Sequence, residues 1–166
     1  MPGPAIRTDV VDVYVFRRRA QGPGVAGGVE FLQLRRVEEP AAGTWQPVMG
    51  HIEADEAPTR AAVRELGEEI GLRPGMPGWL GLWALQEVRP YYLASANALM
   101  MSVCFALEVD EEFEPHAGPE HNDHRWVWSS EAERAFLWLS QRAACEEILR
   151  EIVPPDSAVR DLLRVG

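Results

Sequence analysis

Lysine is absent from this sequence, and all sixteen basic residues are arginine. Without a lysine the protein cannot form a Schiff base, attach pyridoxal phosphate or place an ammonium group in a phosphate-binding loop. Any anionic ligand must therefore be held by arginine side chains, backbone N–H groups or a metal ion.

Cysteine is nearly absent as well, since the chain has only Cys104 and Cys145. Two cysteines are too few for a disulfide framework or a cysteine-rich zinc cluster, and their apolar surroundings predict buried, reduced thiols. The sequence also lacks a charged start followed by an apolar run, and no apolar stretch approaches the roughly 18 residues of a membrane helix. We therefore expect a cytoplasmic protein without a membrane partner.

Positive charge is in the minority, because 26 acidic residues against 16 basic residues give a net charge of −10. Such a surface repels a phosphate backbone, so we expect no nucleic-acid partner. The chain has 166 residues, 46% of them hydrophobic. That is enough for one compact core, and we assign residues 1–166 to a single domain. The sequence leaves the oligomeric state open, a homodimer included.

Strand-like and helix-like segments alternate along the chain, which predicts the α/β class, with helices packed around a mixed sheet. Runs rich in β-branched and aromatic residues predict strands, and apolar residues at helical spacing predict helices. The predicted strands are 9–16, 29–36, 45–49, 79–88, 98–109 and 125–128, with a turn at 21–28 and a polar loop at 111–123. The predicted helices are 58–70, 131–139 and 141–152, followed by a helical tail at 159–163.

The first predicted helix carries an unusual cluster of acidic residues. Three glutamates at i, i+3 and i+4 spacing share one patch of its surface: Glu65, Glu68 and Glu69. The opposite side forms the predicted buried stripe: Val63, Leu66 and Ile70. Like charges at this spacing cost about 0.2–0.5 kcal/mol per pair, and no lysine exists to offset the repulsion. A hard divalent cation such as Mg²⁺ or Mn²⁺ can offset it, whereas an isolated acidic run usually only faces water.

The glutamates belong to a longer pattern. The segment GHIEADEAPTRAAVRELGEEIGL, residues 50–72, resembles the signature of the Nudix hydrolase superfamily, G-x5-E-x7-R-E-U-x-E-E-x-G-U with U aliphatic. Every fixed position is met: Gly50, Glu56, Arg64, Glu65, Leu66, Glu68, Glu69, Gly71 and Leu72. One departure is the pair Ala54 and Asp55, where many members have a glycine. The resemblance implies the Nudix α/β/α sandwich and metal-dependent hydrolysis of a diphosphate linkage.

The resemblance also implies roles for individual residues. The metal ligands would be the three box glutamates, and Gly50 permits a tight turn and could add its carbonyl oxygen. Glu56 and Arg64 would lock the loop onto the helix and orient the carboxylates. The general base varies within the family, and is either a box glutamate such as Glu65 or Glu68, or one from a distant loop.

A distant loop supplies such a candidate. The segment EHNDHRW, residues 120–126, resembles the E-H-x-x-x-[KR]-W segment of bacterial dihydroneopterin triphosphate diphosphatases, a Nudix branch. This likeness implies that Glu120 reaches the metal site as ligand or base. His116, His121 and His124 lack the spacing of a zinc motif, so we expect solvated histidines.

Residues outside the box resemble the same branch less specifically. Arg35 and Arg36 match its R-R pair and are candidates for phosphate contacts. Trp45 matches its W-Q step and could stack on a flat heterocycle. We therefore expect a pterin or nucleoside triphosphate that is cleaved to a monophosphate and pyrophosphate. Alternatives are a dinucleoside polyphosphate, an ADP-ribose-like nucleotide sugar, and a catalytically silent binding module, which the intact box glutamates disfavour.

Overall fold

The structure is a computed structural model that describes residues 3–20, 28–39, 41–116 and 118–165. Its strands are β1 (Ala5–Arg19), β2 (Gly28–Arg36), β3 (Trp45–Gln46), β4 (Val48–His51), β5 (Trp79–Ala84), β6 (Tyr91–Leu93), β7 (Ala98–Val109) and β8 (His121–Trp128). Its α-helices are α1 (Pro58–Glu69), α2 (Ala132–Ala135), α3 (Leu139–Glu147) and α4 (Arg160–Leu163), with a π-helical turn at Ile148–Ile152 and 3₁₀ turns at Ala94–Ala96 and Ser129–Glu131. The turn predicted at 21–28 lies almost entirely outside the described residues.

The strands form one mixed sheet built around β1. Strand β1 runs parallel to β7 and antiparallel to β2 and β4. The order β3-β2-β1-β7-β5 forms the main path, while β4, β6 and β8 pair beside it with β1, β7 and β2. Because β1 is 15 residues long, its middle is free to pair with β4 while its end pairs with β2. This pairing fixes Gly50, opposite Val11, immediately before the loop that leads into α1.

The sheet is covered on both faces, which confirms the predicted α/β sandwich. On one face α1 packs Leu66 and Ile70 into a cluster of aliphatic side chains from the central strands. On the other face α3 and the turn that follows it cover an aromatic cluster that contains Tyr14, Phe31 and Phe136. Each large apolar side chain buried in this way contributes about 1.5–3 kcal/mol relative to an exposed one. The aliphatic core therefore holds α1 against the sheet, and the aromatic core holds the helices of the other face.

Several predicted elements are wrong in their extent. The strand predicted at 125–128 begins at His121, inside the loop predicted at 111–123, and the strand predicted at 45–49 is divided into β3 and β4.

Two further elements are shorter than predicted. The helix predicted at 131–139 ends after one turn, because Phe136 adopts an extended backbone and its ring packs edge-on against Phe31, 6.2 Å between centroids. The strand predicted at 79–88 ends at Ala84. The Leu85 N–H still donates to the Cys104 carbonyl, but those of Gln86 and Glu87 turn to the Glu147 carboxylate. The short strand β6 was not predicted at all.

Other expectations are met. Both cysteines are free and buried. Helix α1 starts at Pro58 and is followed by Gly71 with a φ of +72°, a backbone region that suits glycine at a helix end. Within the described residues, we find no helix with both the length and the apolar character needed to cross a membrane.

Candidate active site

The box glutamates are more buried than the sequence pattern predicts. Glu65 is 8% exposed and Glu69 is 4% exposed, whereas the Glu68 side chain is 57% exposed. The prediction of three glutamates on one open surface patch is therefore wrong. Strand β4 packs against α1, and the backbones of His116 and Gly118 bind the end of the helix, so two carboxylates are enclosed between these segments.

Gly50 allows β4 to approach α1 closely. A Cβ atom at Gly50 would lie 1.9 Å from both Cδ and Oε1 of Glu65. The Glu65 carboxyl group therefore rests directly on the glycine backbone. The sequence predicted that Gly50 permits a tight turn. The residue instead lies within a strand and has no positive φ, and its role is to allow the close approach of β4 to Glu65.

Arg64 ties the loop after β4 to the helix. Its Nε donates to Oε1 of Glu56 at 3.1 Å, and its Nη2 donates to Oε2 of Glu56 at 3.0 Å and to the His51 carbonyl at 2.8 Å. Its Nη1 donates to Oε1 of Glu65 at 2.7 Å. The Arg64 guanidinium holds the pKa of Glu56 below its usual range. In the same loop Asp55 has a φ of +63°, a backbone conformation that glycine adopts more readily.

The segment that leads to Glu120 contacts the end of α1. The N–H groups of His116 and Gly118 donate to the carbonyls of Ile70 and Glu69, at 3.2 and 2.9 Å. A Cβ atom at Gly118 would lie 2.5 Å from the Glu68 carbonyl oxygen, so this contact also depends on a glycine. Glu120 follows directly and shares with Glu65 and Glu68 the lining of a cavity of about 390 Å³. Glu120 also borders a second cavity of about 290 Å³, together with Glu65, Glu68 and Glu69.

The two buried carboxyl groups, Glu65 and Glu69, have raised pKa values. Burial raises the pKa of Glu65, and repulsion from Glu68 and Glu120 adds to the effect, although Arg64 opposes it. Burial, together with repulsion from Glu65 and Glu120, raises the pKa of Glu69 to about 9. Four acidic groups thus face one region with too little positive charge to neutralise them, and such a region attracts a cation.

The donor set fits a hard divalent cation. Carboxylate oxygens are the ligands that Mg²⁺ and Mn²⁺ prefer, and Oε2 of Glu69 is buried without a hydrogen-bond partner. Within the described ranges, no three acidic, histidine or cysteine side chains already converge as a finished metal centre. Glu65 is held by Arg64 through Oε1 only, so its second carboxylate oxygen is left for a metal ion.

The two arginines of β2 face opposite sides of the sheet. Arg36 lines the cavity with the glutamates, and its charge lowers the pKa of Glu69 against the effect of burial. Arg35, its neighbour, pairs with Trp45 across the strands, and consecutive strand residues point to opposite faces. The Trp45 ring is covered by the Arg125 guanidinium, 4.3 Å from the ring centroid. The structure thus brings Arg36 to the glutamates and leaves Arg35 and Trp45 on the other face.

His121 is a residue that sequence reasoning missed. Its side chain has no exposed surface, so the expectation of a solvated histidine is wrong for this position. Burial lowers the pKa of His121, which favours the neutral ring. His116 is exposed as expected, and His124 is partly exposed beside Glu114. The polar segment around residue 121 carried no local signal of burial, since burial follows from the pairing of His121 with Arg36 in β2.

Comparison with known families agrees with this geometry. Residues 7–147 match the NUDIX domain. The chain belongs to this family. The fold supports the assignment, since the NUDIX chain superposes on the dihydroneopterin triphosphate pyrophosphohydrolase of E. coli with a TM-score of 0.67, covering 89% of this chain and 98% of that one at 22% identity.

Curated relatives of the NUDIX chain carry different names. An octanoyltransferase of Myxococcus xanthus is 37% identical over 58% of this chain but only 26% of its own length. An RNA pyrophosphohydrolase of Rhodospirillum rubrum is 41% identical over 42% of this chain and 46% of its own length. An asymmetrical bis(5'-nucleosyl)-tetraphosphatase of Sus scrofa is 27% identical over 80% of this chain and 87% of its own length. The first two matches thus span less than half of those relatives.

We expect Gly50→Ala to displace Glu65 without unfolding the protein. The new Cβ would overlap the flexible end of the Glu65 side chain, which can swing away. Mn²⁺ affinity, measured by isothermal titration calorimetry, should fall by about 10-fold or more, as for the loss of a group that orients a ligand. The control is Gly3→Ala, where a Cβ meets nothing within 4 Å. Unchanged Mn²⁺ affinity in Gly50→Ala would contradict the role given to this contact.

We expect Glu69 to make the metal-free protein less stable as pH rises. Its pKa of about 9 in the folded state exceeds the ordinary value of 4.5, so the folded protein keeps a proton that the unfolded chain has lost. This contribution to the free energy of unfolding is complete below about pH 4.5 and is lost as pH rises towards 9. Glu69→Gln should therefore show a shallower pH dependence in urea denaturation with EDTA present.

The matched control for this experiment is Glu68→Gln, on the same helical turn but exposed. Its unfolding free energy should follow the pH dependence of the parent. The buried Asp12, whose pKa burial raises to about 7, adds the same slope to all three proteins and cancels in the comparison. Parallel curves for parent and Glu69→Gln would show that the Glu69 carboxyl group does not hold its proton as described.

Proposed function

We propose that this chain is a metal-dependent hydrolase that cleaves a diphosphate linkage in a pterin or nucleoside triphosphate, and releases a monophosphate and pyrophosphate. The observation that carries the proposal is the gathering of Glu65, Glu69 and Glu120 from two distant segments around shared cavities, within an intact NUDIX signature. This arrangement concentrates negative charge where a polyphosphate could be bound only through a cation.

The ligands of that cation would come from the box and the loop. Mg²⁺, or Mn²⁺ in its place, would be held by Glu65, Glu68, Glu69 and Glu120, with the Gly50 carbonyl as a further donor. When bound, the ion neutralises charge on the phosphate oxygens and lowers the pKa of a bound water. Arg64 would orient Glu65 through the 2.7 Å contact, and Glu56 would fix Arg64 in turn.

The remaining steps fall to this chain's own side chains. Arg36 lines the cavity and could donate to phosphate oxygens as the guanidinium does in other sites. A carboxylate must accept the proton of the attacking water, and Glu120 is our first candidate because it is exposed and borders both cavities. Glu65 and Glu68 are the alternatives. Trp45 is kept as the candidate for stacking on the heterocycle and Arg35 as a candidate for a phosphate contact, although both lie across the sheet from the glutamates.

A second candidate substrate is a dinucleoside polyphosphate. The relative named bis(5'-nucleosyl)-tetraphosphatase matches most of this chain and most of its own length, which favours this option over those of the shorter matches. An RNA 5' end is a third option, because another relative is named an RNA pyrophosphohydrolase, and the acidic net charge argues against it. Substrate selection in such enzymes depends on loops outside the catalytic segment.

A substrate panel tests the proposal. The purified chain would be assayed with Mg²⁺ against dihydroneopterin triphosphate, purine nucleoside triphosphates, a dinucleoside tetraphosphate, ADP-ribose and a 5'-triphosphorylated RNA oligonucleotide. We expect the highest kcat/KM for the pterin or purine triphosphates, with pyrophosphate as product and no turnover in EDTA. Glu69→Gln serves as the inactive control, because removing a ligand should lower kcat by orders of magnitude.

Each other result of the panel has a defined meaning. A preference for the dinucleoside tetraphosphate would replace the proposed substrate with the second candidate. Turnover that persists in EDTA would contradict the metal dependence. No turnover of any compound by folded, Mg²⁺-loaded protein would leave only the silent binding module.

We expect Glu120→Gln to lower kcat by about 100-fold or more while the circular dichroism spectrum is unchanged, because a positioned base contributes about 10²–10⁴-fold. The acidic limb of the pH–rate profile should also shift or vanish. Glu112→Gln, an exposed glutamate of the same loop, is the matched control. If Glu120→Gln kept the parent rate and profile, Glu120 would be an ordinary loop residue.

A further inference from the structure

His121 lies behind the carboxylate of Glu69, on the side away from solvent. Its ring Nδ1 is 3.9 Å from Oε2 of Glu69, and both side chains are at most 5% exposed. Within the described residues, neither of these two atoms has a hydrogen-bond partner. A buried polar atom without a partner costs about 1–3 kcal/mol. Two such atoms that face each other can remove both costs by a movement of less than about 1 Å.

The other side of the ring indicates which nitrogen carries the proton. The amide Nε2 of Gln46 lies 3.4 Å from Nε2 of His121 in a buried contact. In this orientation of the Gln46 amide its nitrogen donates, so Nε2 of a neutral ring accepts. The proton of the ring is then on Nδ1, which is the atom that faces Glu69. The contact from Gln46 thus prepares His121 to donate to the carboxylate.

Glu69 lacks the anchor that the other buried carboxylate has. Nη1 of Arg64 lies 2.7 Å from Oε1 of Glu65, and Nη2 of the same guanidinium lies 3.0 Å from Oε2 of Glu56. Among the described residues, no arginine forms an ion pair with Glu69. The backbone N–H of Met49 contacts its carboxyl group and lowers its pKa, but one contact leaves the group free to rotate. A second donor on the far side would remove that freedom.

We propose that His121 is a positioning residue for Glu69, and that its Nδ1–H donates to Oε2 of Glu69 and restrains the carboxylate for cation binding. This inference rests on the proposed function, because it takes Glu69 to be a metal ligand. It explains why the chain encloses a histidine next to Glu120 with two nitrogens directed at buried polar groups. Partners of this kind behind a ligating carboxylate commonly change metal affinity by about 10–100-fold.

The proton position is tested first, on the unmodified chain. Nitrogen-15 NMR of protein labelled at histidine distinguishes the two neutral tautomers by the shifts of the ring nitrogens. We expect His121 to be the Nδ1–H tautomer both with and without Mg²⁺. The Nε2–H tautomer would overturn the inference, whatever the activity of the protein.

The two amide substitutions separate the two sides of the ring. In His121→Asn an amide group takes the place of Nδ1 and can still donate to Glu69, whereas in His121→Gln the amide reaches the place of Nε2. The probe is Mn²⁺ without substrate, with the dissociation constant read by electron paramagnetic resonance. We expect His121→Asn to bind within about threefold of the parent and His121→Gln to bind about 10-fold more weakly or worse. His124→Asn, on the same strand beside Glu114, is the control and should match the parent.

The outcomes separate this inference from the proposed function. If the parent binds Mn²⁺ and both amide variants bind it equally well, only the role of His121 is overturned. If the parent binds no Mn²⁺, the proposed function falls together with it. Should an amide variant fail to fold, Gln46→Met removes the donor from Nε2 and keeps the side-chain length. It should give a mixture of tautomers and weaker Mn²⁺ binding, and an unchanged tautomer with unchanged binding would overturn the inference.

Discussion

Repulsion between enclosed carboxylates is the constraint on which the rest of this site depends. Glu65 and Glu69 are buried one helical turn apart, and Glu120 is brought against them from a loop about fifty residues away. Burial is the main cause of the high pKa of Glu69, and repulsion from Glu65 and Glu120 raises it further. A doubly charged cation has the opposite effect on these pKa values, because it favours the ionised form of every carboxylate that it contacts. The fold therefore holds like charges close together, and a bound metal ion can offset the repulsion between them.

The rigidity of the fold keeps this charge distribution in place. Strand β4 is fixed by its pairing with the middle of β1, and α1 is fixed by its packing on the sheet. Gly50 and Gly118 let β4 and the distant loop approach α1 more closely than any other residue would allow. Arg64 connects the loop between β4 and α1 to the helix. Packing and hydrogen bonds thus supply the energy that holds like charges together.

Local patterns in the sequence predicted the local parts of this arrangement. The spacing of the box glutamates, the start of α1 at Pro58 and most strands followed from periodicity and turn residues, and the family resemblance pointed to Glu120. Burial of Glu69 and His121 could not be predicted, because it depends on the register between distant strands. Arg35 and Arg36 are neighbours in the sequence, but their side chains point to opposite faces of the sheet. A sequence shows the residue pair but not the face that each member occupies.

Membership of the NUDIX family and the electrostatics of the site lead to the same central claim, that this carboxylate cluster holds a divalent cation. Anomalous diffraction from crystals soaked in Mn²⁺ together with a non-hydrolysable triphosphate tests that claim most directly. The account predicts an anomalous peak in contact with Glu69 and Glu65, with phosphate oxygens on its open side. A map without a peak beside these glutamates, at saturating Mn²⁺ and with the triphosphate visible, would contradict it.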